Sequence, residues 1–188
     1  MRIVTFERGH GPEAGVIAGE KVIGLRQSGL ADALSVIAGG ADAMDRVTRW
    51  VQSAPGGEAL DLASVKLLAP IPRPPKVICI GLNYRDHAAE SKMQIPDVPT
   101  VFAKFGTSVT GPGHAIVLPR NSAKPDYEAE LAFVIGRGGR HIPEEKWREH
   151  VFGYTCSTTS ARATSKWPPA SGSWARRSIP SRRSAPPS

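Results

Sequence analysis

The chain has 188 residues, of which 40% are apolar, a length and composition that exclude a fibrous or largely disordered protein. It contains no run of about 18 apolar residues, so no transmembrane helix is expected. Almost all of the net charge of +7 comes from the C-terminal end of the chain. Residues 1–150 carry 18 basic and 17 acidic side chains, whereas residues 151–188 carry basic side chains and no acid. The chain is therefore a near-neutral protein with a basic end, and it is not basic throughout.

The first eleven residues, MRIVTFERGHG, lack the apolar core of a signal peptide, which predicts a cytoplasmic protein. Alternating apolar residues in Met1–Phe6 and Gly15–Leu25 predict strands, with a hairpin turn at Gly19–Glu20. Leu30–Ile37 and Ala41–Val51 have the apolar spacing of helices. We interpret residues 1–66 as a small α+β domain.

A proline-rich segment, LLAPIPRPPK, covers residues 67–76 and predicts an extended, fairly stiff linker. Beyond it, Val77–Ile80, Pro99–Lys104 and Ala115–Leu118 read as short strands, and Pro143–Val151 reads as a short helix. Many short strands with few long helices predict a mixed, β-rich fold.

The clearest strand signal is DYEAELAFVIGRGGR, which begins at Asp126. Alternate residues of a strand point to the same face, so Glu128 and Glu130 should project together. Such paired carboxylates suit a hard divalent cation, although a solvated strand face would show the same spacing. The opposite face should anchor the strand in a core through its apolar residues, which are Tyr127, Ala129, Leu131 and Phe133.

A second pair, His87 and Glu90, lies three residues apart in GLNYRDHAAE. If this segment is helical, the two side chains share a face, and the carboxylate can orient the imidazole and raise its basicity. That arrangement suits the activation of a water molecule. A surface ion pair is the alternative interpretation, because the two-residue pattern alone is weak.

Four segments in order resemble one enzyme family. KVICIGLNYRDHAAE, PTVFAKFGTSVTGPGHAIVLP, DYEAELAFVIGRGGRHI and VFGYT are similar to successive segments of fumarylacetoacetate hydrolase family proteins. The resemblance covers Lys76 to Thr155, and it implies an α+β, β-rich fold. In that fold the small N-terminal domain is followed by part of a mixed β-roll, residues 77–155.

The resemblance also implies a site. Glu128 and Glu130 match two carboxylate ligands of one divalent cation, Mg²⁺ or Mn²⁺. His87 and Glu90 match the family's water-activating pair, and Lys104 lies in a segment that positions substrate.

Family members act on small 2-oxo acids, and they are usually homodimers. The reaction that we expect is hydrolysis of a carbon–carbon bond in an acylpyruvate. Isomerase, hydratase or decarboxylase activity of the same family is the alternative. From another class, a non-enzymatic binding module could use the basic tail to contact nucleic acid.

The sequence departs from the family after Thr155. Relatives continue with a segment like NDVSARD, whose first Asp is a third metal ligand, whereas residues 156–188 begin CSTTSARATSKW. Ser, Ala, Arg and Pro make up 24 of these 33 residues, which predicts a disordered tail. Permitted codons read in the adjacent frame give GYTVLNDVSARD and a coherent continuation. We therefore interpret the chain as C-terminally truncated by a frameshift near Cys156.

This interpretation has consequences for activity. With two carboxylates in place of three, the cation should bind weakly. Strands without their usual neighbours should expose edges and apolar surface, which favours aggregation and hinders assembly of the homodimer. We expect the chain as written to be inactive and poorly soluble.

Overall fold

The computed structural model describes residues 1–53, 58–118, 120 and 125–162, with only the backbone described at 161 and 162. The strands of this part of the chain are β1 (Arg2–Arg8), β2 (Gly11–Ala18), β3 (Lys21–Gly24), β4 (Ala59–Asp61), β5 (Lys66–Leu67), β6 (Val77–Gly81), β7 (Thr100–Lys104), β8 (Pro125–Ile135) and β9 (Val151–Arg162). The α-helices are α1 (Ala33–Ala38), α2 (Gly40–Ser53) and α3 (Arg85–Glu90). This mixture of helices and short strands confirms the predicted α+β, β-rich class.

The N-terminal residues form a five-stranded sheet in the order β4-β3-β2-β1-β5. Strands β1 and β2 are antiparallel, with Arg8 opposite Gly11 at the turn. Strand β3 returns along β2, and Gly19 takes a left-handed φ of 60° in the turn between them. Glycine adopts this conformation without a steric penalty, so the predicted hairpin is confirmed together with the residue that makes it possible.

Helices α1 and α2 cover this sheet and supply much of its core. The Asp32 side chain caps α1 by accepting a hydrogen bond from the Ser35 amide at 2.8 Å. Both predicted helices are present, with ends that differ by up to three residues. Buried side chains from the strands, the helices and the connecting loop form one apolar cluster, made of Ala14, Val16, Leu25, Leu30, Val36, Ala43 and Val47.

The proline-rich linker begins later than predicted. Leu67 belongs to β5, which pairs with β1, and the Leu68 amide donates to the Thr5 carbonyl at 2.8 Å. The Thr5 hydroxyl also donates to the Pro70 carbonyl at 2.7 Å. Residues 67–70 are therefore held by the N-terminal sheet, because β1 offers them an unpaired backbone edge.

The rest of the described chain contains two separate two-stranded ribbons. Strands β6 and β7 are antiparallel, with Val77 opposite Lys104. Strands β8 and β9 form the other ribbon, and the Gly136 amide donates to the His150 carbonyl at 2.9 Å where the chain returns. Between them, Glu144–His150 forms a 3₁₀ helix at the position of the predicted helical segment.

Two predictions about this region are wrong. Ala115–Leu118 forms no strand, although its residues are apolar, because a strand needs a neighbouring backbone to pair with. Residues 156–162, predicted to begin the disordered tail, extend β9 instead, because β8 provides that neighbour. The rest of the predicted tail, residues 163–188, lies outside the described part of the chain.

The Cα packing divides the chain into two compact units. One comprises Met1–Pro72, Thr110–His114 and Ala129–Thr158, and the other comprises the described residues of Arg73–Val109, Ala115–Glu128 and Thr159–Ser188. Within the residues described, no helix is long and apolar enough to cross a membrane.

Candidate functional site

The predicted carboxylate strand is present as β8. Along it, exposed residues alternate with half-buried ones, and Glu128 and Glu130 both fall on the half-buried side with Ala132 and Val134. The strand geometry therefore points the two carboxylates in the same direction, as the period of two requires. Asp126 is exposed, and its Oδ1 accepts a hydrogen bond from the neighbouring Tyr127 amide at 2.8 Å, so it caps the start of the strand.

The prediction for the other face of β8 is wrong. Tyr127, Ala129, Leu131 and Phe133 were expected in a core, but the exposed fractions are 74% for Tyr127, 63% for Leu131 and 54% for Phe133. Phe133 lies near two other aromatic rings, those of Trp147 and Tyr154, each at 6.5 Å between centroids. These contacts leave most of the face uncovered, because no second layer of the described chain packs on it.

His87 and Glu90 lie on α3, a helix of six residues that follows strand β6. The helix is anchored by Ala88, which is buried and whose amide donates to the Tyr84 carbonyl at 3.1 Å. His87 is half-buried and Glu90 is exposed. Their spacing puts them on one side of the helix, but in the described structure no hydrogen bond or ion pair joins the two side chains.

The turn before this helix has an unusual backbone. Leu82 takes a φ of 51°, in the left-handed region that a leucine rarely adopts. Such a conformation costs on the order of 1–3 kcal/mol and persists only where the surrounding structure enforces it. Strained backbone therefore leads directly into the segment that carries His87.

Lys104 is the last residue of β7, and its side chain is half-buried. Its Nζ donates a hydrogen bond to the Thr159 hydroxyl at 2.9 Å. Thr159 is half-buried on β9 and was not among the predicted site residues. No local sequence pattern marks this contact, since 55 residues separate the partners.

The described residues fit a divalent cation only in part. Carboxylates are the ligands that Mg²⁺ and Mn²⁺ prefer, and Glu128 and Glu130 place two carboxylates on the half-buried side of β8. Across the described ranges, however, no group of three or more His, Cys, Asp or Glu side chains is close enough to hold a metal ion. The expected weak binding of a cation therefore stays a prediction.

A second cluster of charged residues, in the N-terminal sheet, was missed by the sequence analysis. Glu13 and Glu58 are both buried, and the Arg8 guanidinium contacts them at 3.5 Å and 2.7 Å respectively. The hydrogen bond to Glu58 is the main reason that the pKa of Arg8 lies above its ordinary value; burial opposes it. Further contacts to Glu13 come from the Arg26 amide at 3.1 Å and from His10 at 3.2 Å.

The buried carboxylates of this cluster are paired with basic side chains and an amide of the same cluster, so the cluster stabilises the sheet. Nearby, a shallow groove of about 440 Å³ is lined by Gln27, Ser28, Arg46, Arg49, Trp50 and Ser53. None of these residues belongs to the predicted site.

Comparison with protein families settles the class. Residues 76–181 match the family described as fumarylacetoacetate (FAA) hydrolase, C-terminal. The chain belongs to the fumarylacetoacetate hydrolase family. Residues 1–70 match a second family, described as Rv2993c-like, N-terminal. The segments that resemble the family end at Thr155, but the first match continues to residue 181. The end of the match therefore does not mark where the tail begins.

Among curated proteins, the chain is similar to the mitochondrial oxaloacetate tautomerase fahd2 of Xenopus laevis, with 49% identity over 96 residues. That alignment covers 51% of this chain and 30% of the relative, so the chain spans less than a third of the relative's length. Because this relative is named as mitochondrial, the cytoplasmic location stays a prediction.

Solved structures show the same fold. Maleylpyruvate hydrolase from Sphingobium sp. SYK-6, in complex with Mn(II) and pyruvate, has a TM-score of 0.71 and 27% identity, covering 86% of this chain and 59% of its own. A 5-carboxymethyl-2-hydroxymuconate delta-isomerase from Mycobacterium smegmatis has a TM-score of 0.62 and 28% identity, covering 86% and 55%. The family thus includes both hydrolases and isomerases.

Proposed function

We propose that the chain is part of an enzyme that interconverts the keto and enol forms of a small 2-oxo acid. The observation that carries this proposal is the 49% identity to an oxaloacetate tautomerase over half of the chain. The identity to the maleylpyruvate hydrolase is 27%. The expected carbon–carbon hydrolysis therefore becomes the second candidate.

In this proposal His87 is the general base and acid. It takes a proton from the enol hydroxyl or from the carbon next to the carbonyl and returns it at the other position, and Glu90 lies on the same side of α3. The half-buried position of His87 allows it to meet a substrate while remaining accessible to water. This step needs no nucleophile and no leaving group.

Glu128 and Glu130 would hold the divalent cation, and Lys104 would attract the carboxylate of the substrate. When bound, the cation supplies a Lewis acid that stabilises the enolate of a chelated 2-oxo acid. The solved maleylpyruvate hydrolase contains both Mn(II) and pyruvate, which supports this chemistry for a relative.

Hydrolysis of an acylpyruvate remains the second candidate, because the maleylpyruvate hydrolase has the same fold at a TM-score of 0.71. In that reaction His87, supported by Glu90, would deprotonate the attacking water. Both reactions would use the same residues. In hydrolysis a water molecule attacks the substrate, whereas in tautomerisation only a proton is transferred.

The two candidates and the frameshift can be tested together. One nucleotide inserted before the codon for Cys156 gives a frame-restored protein, to be compared with the chain as written. Both are assayed with Mn²⁺ for loss of enol oxaloacetate absorbance and for acylpyruvate cleavage. We expect tautomerase activity in the frame-restored protein and none above background in the chain as written.

His87→Ala in the frame-restored protein should lower the rate about 10²–10⁴-fold, the contribution of a positioned general base or acid. His141→Ala, at an exposed histidine elsewhere in the chain, is the matched control and should leave the rate unchanged. Acylpyruvate cleavage without tautomerisation would favour the second candidate. Full activity of the chain as written would refute the frameshift.

A further inference from the structure

The shallow groove beside α2 carries two positive charges, the guanidinium groups of Arg46 and Arg49. Asp42 and Asp45 lie four residues earlier on α2, the spacing at which acidic and basic side chains commonly pair on a helix. Among the described residues, however, neither guanidinium lies within ion-pair distance of a carboxylate. Instead, Nη1 of Arg46 donates to the carbonyl of Ser28, another groove residue, at 3.5 Å. The groove therefore has a net positive charge.

Two hydroxyl groups in the groove are oriented as hydrogen-bond acceptors. The Ser28 hydroxyl donates to a backbone carbonyl at 2.6 Å, and the Ser53 hydroxyl donates to another at 2.8 Å. Because each hydroxyl has a single proton, these oxygens can accept a hydrogen bond from a ligand but have no proton left to donate. The groove thus offers cations for an anionic group and acceptors for hydroxyl groups.

The buried carboxylate behind the groove does not offset its charge. The Gln27 side-chain amide donates to Glu58, and the same carboxylate is paired with the Arg8 guanidinium at 2.7 Å. Its negative charge is therefore balanced within the sheet, and an anion in the groove would meet Gln27 and not a free carboxylate.

Trp50 gives the groove a flat apolar wall. Its side chain is half-buried and packs against the N-terminal core, and its Nε1 donates to the Gly24 carbonyl at 2.8 Å. The hydrogen bond and the packing fix the ring while the residue still lines the groove. A fixed aromatic ring is a surface on which a nucleobase stacks without regard to its sequence.

We propose that this groove binds a nucleoside monophosphate. Arg46 and Arg49 are three residues apart and so are neighbours on the helix surface, where both can contact one phosphate group. The base would lie against Trp50, and the ribose hydroxyls would donate to Ser28 and Ser53. Concave sites that combine an aromatic wall with a few polar groups are typical of small-molecule binding. The groove shares no residue with the proposed tautomerase site.

Equilibrium dialysis of the full chain, as written and frame-restored, against adenosine monophosphate, inorganic phosphate and adenosine tests the proposal. We expect saturable binding of the nucleotide, with phosphate and adenosine each binding at least about tenfold more weakly, because each lacks one set of contacts. Equal affinity for phosphate and the nucleotide would overturn the assignment of a nucleotide. No saturable binding of the nucleotide at millimolar concentration would overturn the site.

Two matched pairs of variants locate the binding. Arg49→Gln should weaken nucleotide binding about tenfold, because a charged hydrogen bond is lost, whereas Arg2→Gln, on β1 and outside the groove, should leave it unchanged. Ser53→Glu adds a negative charge to the groove and should also weaken binding at least about tenfold. Gln52→Glu adds the same charge one residue earlier, outside the groove, and should have a much smaller effect. Equal effects within either pair would overturn the proposal.

Unfolding would not explain these losses, because all four substituted side chains are exposed, and thermal denaturation of each variant should match the parent. The indole resonance of Trp50, identified by its loss in Trp50→Phe, should shift on addition of the nucleotide and not on addition of phosphate. An unshifted resonance at saturating nucleotide would overturn the stacking on Trp50. No metal ion or 2-oxo acid is present in these measurements, so a failure of the proposed tautomerase reaction would not affect the result.

Discussion

Arg8 shows how one residue can hold together distant parts of the N-terminal sheet. Its guanidinium contacts Glu13 at the start of β2 and Glu58 just before β4, and both carboxylates are buried. The cost of burying these charges is offset only while the cation is present. Because the pKa of Arg8 is raised, its stabilising charge is present below the ordinary arginine pKa and would be lost only as pH rises above it. Stability from this group is therefore constant near neutral pH.

Arg8→Met should lower the free energy of unfolding by about 3 kcal/mol, because it leaves two buried carboxylates without their main cation. Urea denaturation followed by circular dichroism measures the change. Lys21→Met is the matched control: it breaks the Lys21–Asp61 pair, whose side chains are 51% and 68% exposed, and should cost less than about 1 kcal/mol. Equal losses in the two variants would contradict the structural role assigned to Arg8.

At the scale of the strand, β8 presents an apolar face to solvent. Leu131 and Phe133 lie two residues apart on this face, whereas Glu128 and Glu130 lie on the half-buried one. Contiguous apolar surface of this kind favours association with other molecules. The same pattern on the β6–β7 ribbon exposes Ile78 and Val101 at 63% each.

Leu131→Lys with Phe133→Lys should raise the solubility of the chain as written without lowering its melting temperature, because neither side chain is buried. Light scattering and thermal denaturation measure the two effects. In the frame-restored protein the same pair should be destabilising, if the restored residues cover this face. Leu30→Lys, at a buried position of the N-terminal core, should unfold that core in both proteins.

The sequence predicts that Glu128 and Glu130 lie on the same face of β8, because the alternation of side chains follows from strand geometry alone. The sequence could not predict which face of β8 is buried, since burial depends on whether another part of the chain packs against that face. The same reason explains two other segments. Ala115–Leu118 is apolar but pairs with no strand among the described residues, whereas Cys156–Arg162 is polar but pairs with β8.

Contacts between residues that are distant in the sequence could not be predicted either. The N-terminal hairpin and helices were predictable because Gly19 and the apolar spacing are local signals. The buried Arg8–Glu58 pair spans 50 residues and the Lys104–Thr159 contact spans 55, and no local pattern marks either one. The family assignment was predictable because it rests on ordered segments and not on any such contact.

At the scale of the molecule, the chain combines a well-buried N-terminal sheet with ribbons that lack a core of their own. Apart from Ala88, the buried apolar residues of the described chain all lie between Phe6 and Ala69. Two-stranded ribbons are marginally stable alone, because few of their apolar side chains leave water. The two parts should therefore differ in local stability.

Hydrogen exchange should show this difference directly. Amides of β1, β2 and β3 should exchange slowly, and those of β6 and β7 should exchange at least about tenfold faster, because their opening exposes little additional apolar surface. In the frame-restored protein the two sets should become more alike. Uniform protection across the chain as written would contradict this difference in local stability.

The uncovered ribbons also affect how the protein would persist in a cell. Chaperones bind exposed apolar segments, and proteases cleave chains that open readily. A polypeptide with a firm N-terminal sheet and unprotected ribbons should be trimmed from its C-terminal side, leaving the sheet as the longest-lived product. The abundance of the intact chain would then fall as its rate of degradation rises.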